Sequence, residues 1–177
     1  MSLMNSPFWL LSCFSMALLT AAPMQVGDGF HFEPNTGQTD PSVRYLAKAR
    51  GIGVFVTRDE TVFSLAGGGA VRMKIAGGNP GRLEPEEQLP GVVNYLIGAD
   101  PRKWRTGIPR YAKLRRREAA RGVDFVYYGN GKNLEYDFVV APGVDPDKLE
   151  LVYEGASSIR ADGADVVIRC ATGELRQ

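Results

Sequence analysis

The segment from Gly122 to Val140 constrains the fold more than any other part of the sequence, because it contains the chemistry of a complete β-hairpin. Two runs rich in Val, Phe and Tyr, residues 123–128 and 133–140, flank the turn Gly129-Asn130-Gly131. Aromatic and β-branched residues favour a half-buried pleated strand, and Gly and Asn accept the positive φ of tight hairpin turns. The segment therefore predicts two antiparallel strands joined by a short turn.

Further short strands are indicated on both sides of this hairpin. Alternating or β-rich runs occupy residues 43–48, 53–57, 61–65, 70–75, 92–97, 148–154 and 165–170. Residues 76–90 are polar and predict a loop, whereas Asp100-Pro101 predicts a single-turn helix with the Asp as its N-cap. Regularly spaced short strands without long helices predict an all-β fold, an antiparallel β-sandwich with short hairpins and at most one or two short helices.

The N-terminal residues have the pattern of an export signal. Residues 1–27 contain no charged side chain, and the apolar run from Phe8 to Leu19 is followed by small residues at 20–22. That run is shorter than the roughly 20 apolar residues needed to span a bilayer. We therefore expect a signal peptide at 1–22, a short lead at 23–31 and a β-sandwich domain at 32–177. The expected location is extracellular, cell-surface or periplasmic, with no membrane span after signal removal.

Composition argues against several classes of functional site. The formal net charge of +1 gives no global attraction to nucleic acid or to an anionic membrane, so partner choice must depend on local patches. Cys13 would leave with the signal peptide, which leaves Cys170 without a disulfide partner. His31 is the single histidine, and neither a His-based metal site nor a catalytic triad is indicated around it. We expect no catalytic residue, no metal and no cofactor.

One strongly basic zone spans residues 102–121, with Trp104 and Tyr111 interleaved among its Lys and Arg residues. Residues 110–121 predict either a basic edge strand or a short helix. Cations with aromatics could grip phosphates and bases, which makes nucleic-acid binding one alternative function. A charged edge strand that blocks aggregation explains the same residues, and the absence of a known nucleic-acid module in the sequence favours this explanation.

Two acidic residues, Glu135 and Asp137, lie two positions apart on the second strand of the hairpin. They project from the same face, roughly 7 Å apart by strand rise. Paired acids at such a distance could serve a carbohydrate-active hydrolase or a sugar-binding domain, which is the other alternative function. The solvated side of an amphipathic strand also accounts for them, because apolar residues occupy the alternate positions 134, 136, 138 and 140.

Five segments occur in an order that resembles a known family: residues 32–38 (FEPNTGQ), 93–98 (VNYLIG), 104–106 (WRT), 122–129 (GVDFVYYG) and 134–143 (LEYDFVVAPG). Together they resemble the uncharacterised N-terminal domain of bacterial secreted proteins that continue into SBBP-type β-propeller repeats. The resemblance implies a mostly β domain on an exported protein and supplies no catalytic residue. Relatives would run on beyond Gly173–Gln177, so we expect a domain truncated at its C-terminal end.

These observations lead to one functional hypothesis. We expect a non-catalytic structural or adhesive module that normally precedes a β-propeller. Its expected partners are the downstream repeats in longer relatives and a carbohydrate or protein ligand, but no nucleic acid. Loops carry most binding function, and the residues expected to contact a ligand or partner are Trp104, Arg105, Tyr127, Glu135 and Asp137.

Overall fold

The fold consists almost entirely of antiparallel β-strands. The computed structural model describes residues 29–49, 52–65, 68–131, 133–163 and 165–176. The predicted signal peptide, and most of the lead that follows it, lie outside these residues. The strands are β1 (Phe32–Pro34), β2 (Tyr45–Ala49), β3 (Ile52–Val56), β4 (Thr61–Leu65), β5 (Ala70–Ile75), β6 (Arg82–Tyr95), β7 (Arg105–Ala120), β8 (Val123–Asn130), β9 (Asn133–Val140), β10 (Leu151–Glu154), β11 (Ser158–Asp162), β12 (Asp165–Cys170) and β13 (Gly173–Arg176).

Within the described ranges, ten strands form one sheet and three form another. The large sheet has the order β10-β5-β4-β3-β2-β1-β7-β8-β9, and β6 pairs with β7 outside this path. The small sheet has the order β11-β12-β13. The strand pairs are antiparallel, which confirms the predicted fold class.

The large sheet curls around a core to which both of its halves contribute. One hydrophobic cluster contains Phe32, Val56 and Phe63 from the first half, together with Leu114 and Phe125 from the second. The hydroxyls of Tyr136 and Tyr153 lie 3.4 Å apart and connect β9 with β10, the strands at the two ends of the sheet order. The packed layers therefore belong largely to one continuous sheet.

The small sheet packs against the same core. Its residues Ile168 and Leu175 belong to the hydrophobic cluster of the large sheet, and Ile168 is fully buried. Cys170 packs against this cluster as a partly buried residue. The last three strands thus complete the core of the large sheet instead of forming a separate one.

The long ribbon of β6 and β7 differs from the sequence prediction. The polar loop predicted at 76–90 is wrong beyond residue 81, because Arg82 begins a strand that continues to Tyr95. Residues 110–121 are not helical, and β7 is not an edge strand, since it lies between β6 and β8. Among the described residues β6 pairs with β7 alone, so β6 forms an edge of this ribbon, where Pro85, Pro90 and the glutamates oppose pairing with another chain.

Other local predictions are confirmed. The hairpin of β8 and β9 has the expected strands in register from Val123↔Val140 to Asn130↔Asn133, and Gly131 takes a φ of +64°. A single-turn 3-10 helix spans Pro101–Lys103, and the Asp100 carboxylate accepts a hydrogen bond from the Arg102 N–H at 3.1 Å. Among the described residues, no helix has the length and apolar character that crossing a bilayer requires.

Candidate functional site

The five residues predicted to contact a ligand lie in three parts of the fold. Trp104 and Arg105 lie at the end of the β6–β7 hairpin, where β7 begins. Glu135 and Asp137 lie on β9, at one end of the large sheet. Tyr127 lies on β8 and points into the core. The structure therefore does not bring the five together into one site.

Tyr127 is a core residue and not a surface contact. Its side chain is 1% exposed, and its hydroxyl lies 2.7 Å from the Thr61 hydroxyl, which is also buried. Its ring packs on that of Phe125 with the centroids 4.4 Å apart. Burial raises the pKa of the Tyr127 phenol. A partner could not reach this ring, so the structure contradicts its placement at a binding surface.

Glu135 and Asp137 lie on the same face of β9, as predicted, and share a neighbour on β8. Tyr128 pairs with Glu135 in the strand register. The pKa of Tyr128 is raised to about 12, first by burial and then by the charges of Asp137 and Glu135 and their hydrogen bonds with its phenol. Asn130 donates a further hydrogen bond to Glu135 Oε1 at 2.8 Å. These contacts give both carboxylates a structural role at the sheet surface.

Three basic residues on one face of β7 are matched by acids on both neighbouring strands. Lys113 lies 2.7 Å from Glu87, and Arg115 lies 2.5 Å from Glu86. Arg117 contacts both Glu84 at 2.7 Å and Asp124 at 2.9 Å, in further ion pairs. These ion pairs offset part of the positive potential of the basic zone at residues 102–121. Nucleic-acid binding would require that potential, so the pairs weaken this alternative function.

Arg116 lies on the opposite face of β7, where it is buried and bonds to the backbone of the turn at residues 57–60. Its guanidinium donates to the carbonyl oxygens of Thr57 at 3.3 Å and Glu60 at 3.2 Å, and also to that of Arg58. It borders a small cavity of about 10 Å³, also lined by Phe125 and Tyr127. That volume holds about one water molecule. The cavity is therefore too small for a substrate.

A buried carboxylate fastens β1 to the β6–β7 hairpin. Glu33 is 5% exposed, and it lies 3.1 Å from His31 Nε2 while accepting a 2.7 Å hydrogen bond from the Tyr95 hydroxyl. Burial alone would raise the pKa of Glu33, but the hydrogen bonds from His31 and Tyr95 lower it below its usual value. The Glu33 hydrogen bond raises the pKa of His31. Lys48 lies 5.0 Å from the Tyr95 ring centroid.

A second set of contacts fixes the hairpin next to this carboxylate. Arg105 Nε donates to the carbonyl of Thr36 at 2.9 Å, and a Cβ at Gly37 would meet the same guanidinium at 2.9 Å. The Asn94 side chain accepts a 2.9 Å hydrogen bond from the Gly107 N–H. Three of the segments that carry the family resemblance, 32–38, 93–98 and 104–106, therefore meet at one place.

Sequence reasoning selected Trp104 and Arg105 at this junction but missed Glu33 and Tyr95. Sixty-two positions separate Glu33 from Tyr95, and no local pattern connects them. The signal that could have found them was their membership in two of the resembling segments. The junction positions the end of the hairpin relative to the curled sheet.

The end of the hairpin presents exposed apolar side chains, which we call the tip surface: Val92, Leu96, Ile97 and Trp104. Their exposed fractions are 52%, 58%, 69% and 36%, respectively. The indole N–H of Trp104 donates to the carbonyl of Gly98 at 3.0 Å, which holds the ring against the loop that carries the two aliphatic residues. Gly98 and Gly107 have positive φ, and a Cβ at either would meet open space.

Comparison with known proteins gives one match. A family model described as a domain of unknown function, DUF7948, matches residues 32–177, which is more than half of the chain. No curated protein and no solved structure is significantly similar to the chain. The matched range starts at the first residue of β1 and includes every strand through β13.

Proposed function

The chain belongs to the DUF7948 family over residues 32–177, and from this premise we propose that it is a non-catalytic adhesive or structural module of an exported bacterial protein. The signal-like pattern in residues 1–22 supports export. The resemblance of its five segments to domains that precede SBBP-type repeats supports a place before a β-propeller. In this proposal the module contacts its partner through the tip surface.

The observation that carries the proposal is the exposure of Leu96 and Ile97 on a hairpin that is fastened at its base. Large apolar side chains exposed side by side and bordered by polar residues are typical of contact surfaces. Glu33, Tyr95 and Arg105 hold the hairpin through hydrogen bonds of 2.7 Å and 2.9 Å. A fixed loop loses little conformational entropy on binding, so this arrangement favours association.

The state of the ionisable groups agrees with a role in binding instead of catalysis. Glu33, the buried carboxylate, is engaged by His31 and Tyr95. Glu135 and Asp137 share Tyr128, and three basic residues of β7 form ion pairs with acids of β6 and β8. Perturbed pKa values here follow from structural contacts, which is a common origin of such shifts outside active sites.

A sedimentation assay with cell envelopes of the producing bacterium tests the proposal. We expect the purified chain to co-sediment with the envelopes and the double variant Leu96→Ser/Ile97→Ser to lose most of this binding. The matched control is Ile159→Ser, because Ile159 is 51% exposed on β11 in the small sheet. Equal binding of the double variant and the control, or no binding of the unmodified chain, would contradict the proposal.

A further inference from the structure

We propose that the tip surface docks on a lipid bilayer containing anionic headgroups, with Leu96 and Ile97 entering the boundary between headgroups and acyl chains. This inference rests on the proposed function, because it names the partner of the same surface. It concerns docking at the bilayer surface and not insertion across it.

The apolar part of the tip suits shallow insertion. Leu96 and Ile97 are adjacent in the chain and are 58% and 69% exposed at the end of the hairpin. Val92 adds a further exposed aliphatic side chain on β6, close to the same end. Apolar side chains that enter the acyl boundary supply most of the affinity of a surface-bound segment.

Trp104 has the chemistry of an interfacial anchor. Its ring is 36% exposed, and its N–H is already satisfied by the Gly98 carbonyl at 3.0 Å. An indole combines a large apolar ring with a polar edge, and tryptophans are therefore enriched at the level of lipid headgroups. The bond to Gly98 holds this ring at the loop that carries Leu96 and Ile97.

The charge around the tip matches anionic headgroups. Residues 96–105 contain three cations, Arg102, Lys103 and Arg105, and one carboxylate, Asp100, which leaves an excess of positive charge at this end. Arg102 binds both oxygens of Asp100 at 3.0 Å, and Lys103 is exposed beside them. Basic residues close to a bilayer are attracted by anionic lipids over about one Debye length.

The shape and surroundings of the tip favour a bilayer over a protein as the partner. A Cβ built at Gly91, Gly98 or Gly107 would have open space around it, so the backbone at these three positions of the hairpin end is uncovered. A fluid bilayer adapts to such a projection, whereas a protein would need a matching recess. Further along β7, Lys113, Arg115 and Arg117 are each paired with a glutamate of β6.

Vesicle binding tests the inference. The chain expected after removal of residues 1–22 has Trp104 as its one tryptophan, because Trp9 lies in the expected signal peptide. Vesicles are made of phosphatidylcholine alone or of equimolar phosphatidylcholine and phosphatidylglycerol. We expect tighter binding to the anionic vesicles, weakening with added salt, and quenching of Trp104 by brominated acyl chains. In the same background, Leu96→Ser/Ile97→Ser should weaken binding about tenfold, and Ile159→Ser should not.

Lys103→Glu is a second variant, and it separates charge from apolar contact. It should lower the affinity for anionic vesicles while leaving the weaker binding to phosphatidylcholine unchanged. An unquenched Trp104, or equal vesicle binding by the tip variant and the Ile159→Ser control, would overturn the inference. If envelope binding still depends on the tip in that case, the partner is a protein or polysaccharide and the proposed function stands. If envelope binding is independent of the tip, both proposals fail.

Discussion

Arg116 shows how one residue can connect distant parts of the sheet. Its side chain is 3% exposed, and its guanidinium donates to backbone carbonyls of the turn at 57–60, which joins β3 to β4. A buried charge is tolerated only when hydrogen bonds replace its lost hydration. Here carbonyl groups accept hydrogen bonds from both terminal nitrogens, whereas Nε is buried without a partner among the described residues. Arg116 and the turn therefore depend on each other.

Replacing Arg116 should therefore destabilise the domain strongly. Arg116→Met removes the guanidinium that donates to the carbonyls of Thr57, Arg58 and Glu60, and we expect a loss of about 2–4 kcal/mol in the free energy of unfolding. Arg116→Lys should rescue only part of this loss, because an ammonium cannot reproduce the planar fork of donors. Urea unfolding measures these changes.

Arg117→Met is the matched control for Arg116→Met. Its side chain is 47% exposed and its ion pairs are with Glu84 and Asp124 at the surface. Exposed ion pairs contribute little to stability because water and salt screen them. Losses of equal size in the two methionine variants would show that Arg116 does not support the turn.

His31 should make stability depend on pH. Its hydrogen bond with Glu33 raises its pKa above 6.5, whereas the pKa of Glu33 is lowered from 4.5. Stability from His31 is fully present below the unfolded value of 6.5 and is lost as the pH rises through the folded value. Stability from Glu33 is present above 4.5 and is lost as the pH falls through its own folded value.

Both contributions are therefore largest together between about pH 4.5 and 6.5. We expect the urea midpoint to fall between pH 6 and pH 8, and His31→Gln should remove most of that fall. Because the chain has a single histidine, no other imidazole can produce it. If the urea midpoint of His31→Gln fell with pH as steeply as that of the unmodified chain, His31 would not be the group responsible.

Whether a side chain is buried was predictable where apolar and polar residues alternate along a strand. Phe125 and Tyr127 lie two apart on β8, and both point into the core, as period two requires. Tyr127, which was expected to contact a ligand, follows the same alternation and lies in the core. The contact of Glu33 with Tyr95 was not predictable, since it depends on how β1 meets β6 in three dimensions.

At the scale of elements, β6 shows where pattern reasoning fails. Its sequence contains Pro85, Pro90 and several glutamates, which are all unfavourable in an isolated strand. Pairing with β7 places Glu84 opposite Arg115 and Glu86 opposite Lys113, so the charges on the two strands are complementary. The strand exists because of these cross-strand pairs, which a single-strand pattern does not contain.

The contact of Tyr95 with Glu33 should control the mobility of the hairpin end. Tyr95→Phe removes the hydroxyl that donates to Glu33 Oε2 at 2.7 Å. We expect amide hydrogens of residues 96–107 to exchange faster, because local opening becomes easier when a buried hydrogen bond is lost. Hydrogen exchange measured by mass spectrometry resolves this segment.

Tyr128→Phe provides the comparison for Tyr95→Phe. It removes a phenol hydroxyl from the neighbouring hairpin, where Tyr128 contacts Asp137 and Glu135. Its effect on exchange should be confined to β8 and β9. If both variants loosen residues 96–107 equally, the Glu33 contact does not fasten the hairpin.

For the whole molecule, the order of strands explains why only part of the architecture was predictable. Hairpins such as β3–β4 and β8–β9 join neighbours in sequence, and their turns mark them clearly. The pairings of β10 with β5 and of β1 with β7 connect distant segments. They place β9 and β10 at the two ends of the sheet order, and neither turn chemistry nor periodicity specifies such pairings.

The shared core predicts that the two sheets unfold as one cooperative unit. Ile168 on β12 is fully buried and lies in the same hydrophobic cluster as Phe63 and Val71 of the large sheet. Ile168→Ala should lower the free energy of unfolding by about 2–5 kcal/mol through lost burial and a cavity. Ile159→Ala, on the neighbouring strand and 51% exposed, should cost much less.

Hydrogen exchange tests this cooperativity directly. In Ile168→Ala, the protection of the slowest amides of β4 and β12 should fall together, because opening the small sheet exposes the core on which the large sheet depends. If β12 lost its protection while β4 kept the value of the unmodified chain, the small sheet would be an independent unit, and the common core would not determine the stability of the fold. Equal losses on both strands would mean that all three C-terminal strands are part of the domain's folding unit.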